Sequence, residues 1–381
     1  MSISSRKQIA SIANNWQILL GEPSHGNSEW RRERWKLLRN GHSLSSDLPA
    51  LGWHWRIDHD CSPEGYGPGS SRVTKLRLRS VHYQDACECV VMLPRPTRAT
   101  VCVSTQIGCG VGCTFCATGK MGWQRNLCTT EILEQVLLAR QRVGDWSSSP
   151  KRNIHLRNVV FMGMGEPLHN DGELHRSLEW LISDKGFGFS PRHLTVSTAG
   201  VPSKMIELAE RFPRVRIALS LHAAEAELRR QLVPRATHDL ESLRSAIRQI
   251  NAIDPRGPVW IEIALIAGIN DSIEHAHAIH RFCEGLRVEI NVIPYNDTSH
   301  ASGLTVDQTK VVQAPSRETV RAFVEELRGL GWYTTWRNTY GDSIRAACGQ
   351  LATGLTTQSS VSSGCSDDTV NQMKNGDDTR W

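Results

Sequence analysis

The sequence predicts an α/β protein built on a parallel sheet. From about residue 99, short apolar runs of strand length alternate with stretches of helical periodicity. Strand–helix repeats of this kind pair in parallel through right-handed crossovers. A hydrophobic content of 39% and a charged content of 22% describe an ordinary globular chain. At 381 residues there is ample chain for a buried core, in two to three domain-sized units or one large barrel with additions. Six units suit either most of a barrel or an open doubly wound sheet, and periodicity alone does not choose between them.

Taken in order, residues 1–70 form an N-terminal accessory segment. It holds the basic stretch "EWRRERWKLLRNG" and Trp16, Trp30, Trp35, Trp53 and Trp55, five of the twelve tryptophans. "CSPEGYGPGSS" reads as a loop from its Gly, Pro and Ser. Residues 71–98 read as a hairpin-like extension: "RVTKLRLRSV" alternates apolar and charged residues, and "ECVVMLP" returns. The core follows over 99–353, with strands expected at 100–104, 159–162, 193–197, 215–221, 259–266 and 288–293. "DLESLRSAIRQI" places apolar residues at 240, 243, 247 and 250 on one helical face behind an Asp239 cap. "SRETVRAFVEELRGLG" does the same with Val320, Phe323, Val324 and Leu327, capped by Ser316. The tail, 354–381, is rich in Ser, Thr, Asp and Gly and is expected to be disordered.

No run of roughly 18 apolar residues exists, so no membrane span is expected. The N-terminus lacks the apolar core of a signal peptide, which makes the cytoplasm the expected compartment. A net charge of +5 permits a polyanionic partner without demanding one. The eleven cysteines are unevenly spaced. In a reducing compartment they point to metal binding or catalysis rather than to disulfide staples.

Three of them carry the chemistry. "CVSTQIGCGVGCTFCATGK" spaces Cys109, Cys113 and Cys116 as C-x3-C-x2-C within a glycine-rich loop after the first core strand. Zinc sites and cubic iron–sulfur clusters ordinarily take four ligands. Three thiolates on a four-iron cluster leave one iron open to a small chelating substrate. The amino and carboxylate groups of S-adenosylmethionine (SAM) are such a chelate. Three unrelated core cysteines, or an incomplete zinc site, are the alternatives.

The spacing resembles the signature of the radical SAM superfamily. That resemblance implies a partial (β/α)6 barrel with a [4Fe-4S] cluster and SAM at the carboxyl ends of its strands. "FMGMGEPL" ends the second core strand, and carries Gly165 and Glu166 where the superfamily places a carboxylate against the SAM amino group. Such a pair makes a charge-assisted hydrogen bond. Together with "LTVSTAG", "LSLHA", "GIND", "IPYN" and "DSIRAACGQLATG", these motifs resemble the RlmN/Cfr family over residues 73–354. The family methylates an adenine carbon in large-subunit ribosomal RNA.

The family resemblance implies SAM contacts from Ser197, Ser220, Leu221, His222 and Asn296, each at a strand end. It implies that Cys348 carries a methyl group and that Cys102 resolves the adduct. The chemistry accounts for this need, because an adenine carbon is a poor nucleophile and a thiolate is a good one. Cys348 takes a methyl from one SAM. A second SAM yields the radical that removes a hydrogen from that methyl, and the carbon radical adds to adenine. Cys102 then attacks the sulfur of Cys348, and disulfide formation releases the product. Glu88 in "ECVVMLP" matches the family's base, with one extra residue before the proline that a bulge would absorb. Arg95 and Arg345 stand where acidic residues are common in the family. Lys120 and Arg125 are candidate phosphate contacts or solvated side chains. The N-terminal tryptophans and arginines suit base stacking and phosphate binding, or a small core.

The resulting expectation is a radical SAM methyltransferase acting on an adenine carbon of 23S ribosomal RNA, C2 favoured. It would use two SAM per turnover and an electron donor such as flavodoxin or ferredoxin. The same chemistry at C8 or on tRNA, and an inactive RNA-binding paralogue, are the alternatives.

Overall fold

Short apolar runs give the inner strands of a ten-stranded sheet in the computed structural model, which describes residues 54–61, 72–146, 154–236, 238–298, 312–337 and 341–352. The expected disordered tail and most of the Trp- and Arg-rich segment lie outside the described residues. The described chain enters through β1 (Trp55–Cys61), β2 (Arg72–Ser80) and β3 (Ala86–Arg95), paired antiparallel. β4 (Arg98–Cys102) runs antiparallel to β3 and begins the parallel part. β5 (Gln106–Gly108) and β6 (Trp123–Asn126) pair with each other in a separate small sheet.

The parallel part continues through β7 (His155–Phe161), β8 (Leu194–Thr198), β9 (Arg216–Ser220), β10 (Val259–Leu265) and β11 (Val288–Pro294). All six expected core strands are present. β12 (Thr334–Trp336) adds a parallel edge strand that is too short for periodicity to reveal. The sheet order is β1-β2-β3-β4-β7-β8-β9-β10-β11-β12, and the two end strands do not pair. The barrel is therefore partial.

Helices α1 (Thr129–Trp146), α2 (Asp171–Ile182), α3 (Pro202–Arg211), α4 (Ala226–Leu232), α5 (Leu240–Ile253), α6 (Ile273–Cys283) and α7 (Arg317–Gly329) lie between the strands. Their apolar stripes face the sheet. On α5, Leu243, Ile247 and Ile250 are buried, and the Asp239 carboxylate accepts the Ser242 N–H at 2.6 Å. On α7, Val320, Phe323, Val324 and Leu327 are buried, and Ser316 caps the helix through the Thr319 N–H. Each cap satisfies a donor that the first helical turn leaves open, worth about 1 kcal/mol.

The antiparallel edge is latched to α1. The buried Glu134 carboxylate accepts the backbone N–H groups of His54 and Trp55 and pairs with the His54 ring at 2.7 Å. Burial works against a charged His54, but hydrogen bonds with Cys128 and Glu134 outweigh it and push its pKa up to about 10. The Trp55 indole donates to the Glu131 carbonyl, so this tryptophan is a core residue.

Candidate active site

Parallel strands present their carboxyl ends together, and the loops leaving them build the site. Two adjoining cavities open there, of about 170 Å³ and about 250 Å³. Cys109, Cys113 and Cys116 line the first. Their loop is pinned through its backbone. Cys109 N–H donates to Gly122 O at 3.0 Å, Thr114 N–H to Leu232 O at 3.0 Å, and Ala117 N–H to Gly349 O at 2.7 Å. Gly108 holds φ at +70°, and a Cβ there would lie 1.8 Å from the Gly122 carbonyl oxygen, so only glycine closes this turn.

Burial pushes all three thiol pKa values up, that of Cys109 to about 12. Among the described residues, no trio of His, Cys, Asp or Glu converges tightly enough to hold a single metal ion. Three thiols spread along one wall suit a polynuclear cluster, whose metal atoms take thiolates at separate corners.

The segment leaving β7 forms the next wall. Gly165 has φ +103°, and a Cβ there would meet Gln106 at 2.6 Å. That close approach lets the Glu166 N–H donate to Gln106 Oε1 at 2.8 Å. The Glu166 carboxylate is buried and accepts the N–H groups of Leu168 at 3.0 Å and Ala199 at 2.7 Å. Burial raises its pKa, and those two donors oppose the rise. A carboxylate held by neutral donors at a cavity wall suits the ammonium end of SAM.

Ser197 and Ser220, on neighbouring strands, face each other across 3.2 Å and line the same cavity. His222 takes φ +60°, accepts the Ala264 N–H on Nδ1 at 3.0 Å, and sets its ring edge-on to Phe115. Burial and then the Arg229 charge lower its pKa to about 3, so the ring is neutral. With Nδ1 accepting, Nε2 carries the proton. Between Ser220 and His222, the Leu221 side chain packs in the main core and does not line the cavity. The chain bends as it leaves β9, with the Leu221 N–H donating to Leu219 O at 2.9 Å and Glu262 O at 3.1 Å. Asn270 of "GIND" bridges backbone, donating to the carbonyls of His222 and Ala264 at 2.8 Å each.

Asn296 donates to the Cys348 carbonyl at 2.9 Å and lines both cavities. Cys348 is exposed and also lines both. Cys102 is buried and lines only the second. Burial, and then the Cys348 charge, push the Cys102 pKa up to about 12, while Arg337 pulls it down.

Glu88 lies on β3 with its carboxylate 3.4 Å from Lys75 and accepting the Ala352 N–H at 3.1 Å. It lines neither cavity, but shares a strand face with Val90 and Met92, which line the second. The extra residue before Pro94 is taken up by a register shift between Met92 and Arg95.

Several site residues escaped the sequence reading. Arg337 lines both cavities and pairs with Glu262 at 3.6 Å. Glu262 Oε2 is a buried oxygen with no hydrogen-bond partner among the described residues. Arg229 sits on a short amphipathic helix yet is buried, donating to the carbonyls of Ala199, Ser220 and Leu221. No spacing marks any of the three. Two basic candidates are spent on structure: Lys120 donates to Thr298, and Arg125 pairs with Asp85 and Glu131.

Residues 103–279 match the family model of the radical SAM superfamily. The chain is 41% identical over 339 residues to a probable dual-specificity RNA methyltransferase RlmN of Thermus thermophilus, covering 87% of this chain and 90% of that one. A probable RNA methyltransferase of Rhodopirellula baltica is 40% identical over 69% of this chain and 66% of its own length. Among solved structures, a radical SAM methyltransferase from Sphaerobacter thermophilus superposes with a TM-score of 0.73 at 32% identity. That match covers 84% of this chain and 92% of that one.

Proposed function

Because the chain belongs to the RlmN family of radical SAM enzymes, we propose that it methylates an adenine carbon of 23S ribosomal RNA, with C2 the favoured carbon. One observation carries this reading: Cys348 lines both cavities and Cys102 only the second. A thiol at that junction meets the cofactor on one side and the acceptor base on the other. An adenine splayed from its stack would enter the second cavity.

Cys109, Cys113 and Cys116 would hold the cluster, and Glu166, Ser197, Ser220 and Asn296 would orient SAM. The bound cluster and SAM supply hydrogen-atom abstraction, drawing an electron from a donor such as flavodoxin or ferredoxin. Two SAM would be consumed per turnover, one of them as methyl donor to Cys348. Burial, and then any charge on Cys348, raise the Cys102 pKa. Conversion of Cys348 to a neutral thioether would remove the second influence and leave the first. Cys102 then attacks the Cys348 sulfur. The S–S bond forms as the bond from sulfur to the transferred carbon breaks, and Glu88 takes the proton from the modified adenine carbon. The released methylene carbon keeps the electron pair of that bond and takes up a proton to become the methyl group. The adduct's unpaired electron would return to the bound redox cofactor. The residue 1–70 segment and the 71–98 strands would contribute to RNA contact, and the reducing cytoplasm would regenerate both thiols.

The test is the mass of the Cys348 peptide from cluster-loaded protein supplied with SAM. One added methyl, absent in Cys348→Ala, is expected. An unmodified peptide would overturn the mechanism.

A further inference from the structure

The amino ends of the same strands carry a second concentration of charge. Arg192, Arg214, Arg216 and Arg256 line a groove of about 570 Å³ there, where α3 and α5 end. Beside it, Arg98, Arg140 and Arg157 line another of about 380 Å³, with His155 and His193. His193 lies between the two sets. Burial, and then the charges of Arg157, Arg216, Arg98 and Arg192, lower its pKa. Seven guanidinium groups thus crowd the starts of β4, β7, β8, β9 and β10.

Five of them have no side-chain partner among the described residues. Among the described residues, the side chains of Arg98, Arg157, Arg192, Arg214 and Arg256 make no hydrogen bond and no ion pair. Asp254 is the single acid lining either groove, and it accepts the backbone N–H of Arg256 at 3.1 Å. Arg216 lies over the Trp260 ring at 4.1 Å, and Arg140 over Phe187 at 4.9 Å. These contacts fix a planar cation over an aromatic face; Arg140 also donates to the Phe187 carbonyl at 3.2 Å, and the Glu289 charge favours the Arg216 cation. Helix capping does not explain the cluster either, because the side chains of Arg192, Arg214 and Arg256 make no hydrogen bond to the carbonyls that end α3 and α5 among the described residues. Five like charges gathered without ion pairs among the described residues cost the fold and favour a polyanion.

We propose that this face is a second binding surface for the phosphodiester backbone of the RNA substrate. The inference rests on the RNA reading above. Two adjoining grooves across five strand ends exceed what one phosphate occupies. Strands of five to seven residues, at about 3.3 Å per residue, put this face some 15–20 Å from the cavities. A polymer can engage both ends, and a nucleotide cannot.

The test compares full-length, cluster-loaded protein with the Arg192→Glu/Arg214→Glu/Arg256→Glu variant. Affinity is measured against salt for a long 23S ribosomal RNA fragment and for a short hairpin holding only the target adenine. Cys348 methylation by SAM serves as the readout of intact folding. The expected result is a loss of about 2 from the log–log salt slope and at least about tenfold in affinity for the long fragment. Hairpin binding and Cys348 methylation should stay at the wild-type level. An unchanged slope and affinity, with wild-type protein binding the fragment, would overturn the second surface alone. Failure of wild-type protein to bind either RNA would overturn the RNA reading itself. Saturable binding of inorganic pyrophosphate, lost in the variant while RNA binding persists, would mark a small-anion pocket and also overturn the proposal.

Discussion

The two ends of the parallel strands treat the same residue types in opposite ways. At the carboxyl end, Arg229 is buried and its guanidinium meets three carbonyls. At the amino end, Arg214 and Arg256 line an open groove with no hydrogen bond or ion pair to their side chains among the described residues. Glu166 and His222 follow the first pattern, each held by backbone N–H groups. A buried polar group costs about 1–3 kcal/mol when unpaired, so most polar groups at this end have partners, Glu262 Oε2 being an exception among the described residues. Solvated cations carry no such demand. The contrast separates a surface that fixes reacting atoms from one that gathers a flexible polyanion.

The sharpest way to break this contrast is at the thiols. Cys102→Ser should lower RNA methylation by about 10⁴-fold, the scale expected for losing one member of a catalytic unit. Methylation of Cys348 should persist, and the RNA adduct should accumulate on Cys348. Mass spectrometry of RNase-digested protein reads this directly. Turnover near the wild-type rate would remove Cys102 from the mechanism.

A smaller effect is expected at Glu166. Its two oxygens each accept a backbone N–H, which a glutamine amide cannot do at both. Glu166→Gln removes the charge-assisted bond to the SAM amino group, worth about 2 kcal/mol, or roughly thirtyfold in SAM affinity. Anaerobic titration of cluster-loaded protein measures it. Arginine reversal at the amino end should leave this affinity alone. A matching loss there would erase the distinction between the two ends.

How far the sequence showed this arrangement follows from what each residue needs. Short apolar runs revealed the six core strands, since the inner strands of a parallel sheet are buried almost continuously. Asp239 and Ser316 were legible because a cap must stand at a helix start. The cysteines were legible because their spacing serves a loop. Arg229 was not, since its partners are carbonyls of distant strand ends. Arg337 and Glu262 meet only when β10 and the segment after β12 come together. The amino-end arginines are scattered from 98 to 256, and only strand order gathers them. The core packing of the Leu221 side chain was not legible, because it is set where the chain bends out of β9.

The antiparallel edge tests whether careful pairing extends beyond the barrel. Burial raises the Glu88 pKa, and the Lys75 charge and hydrogen bond and the Ala352 N–H oppose that rise. A base works as the carboxylate, so activity should fall as pH drops through the folded-state value. Lys75→Met removes the largest opposing influence and should move this acid limb to higher pH. The high-pH plateau should change little, because Glu88 is ionised there in both proteins. A pH–rate profile of RNA methylation distinguishes the outcomes. A lower plateau with an unmoved limb would mean that Lys75 acts only by holding the Arg345 carbonyl, to which it donates at 3.2 Å. Glu88 would then be a structural partner of the edge, and the proton would leave the adenine carbon by another group.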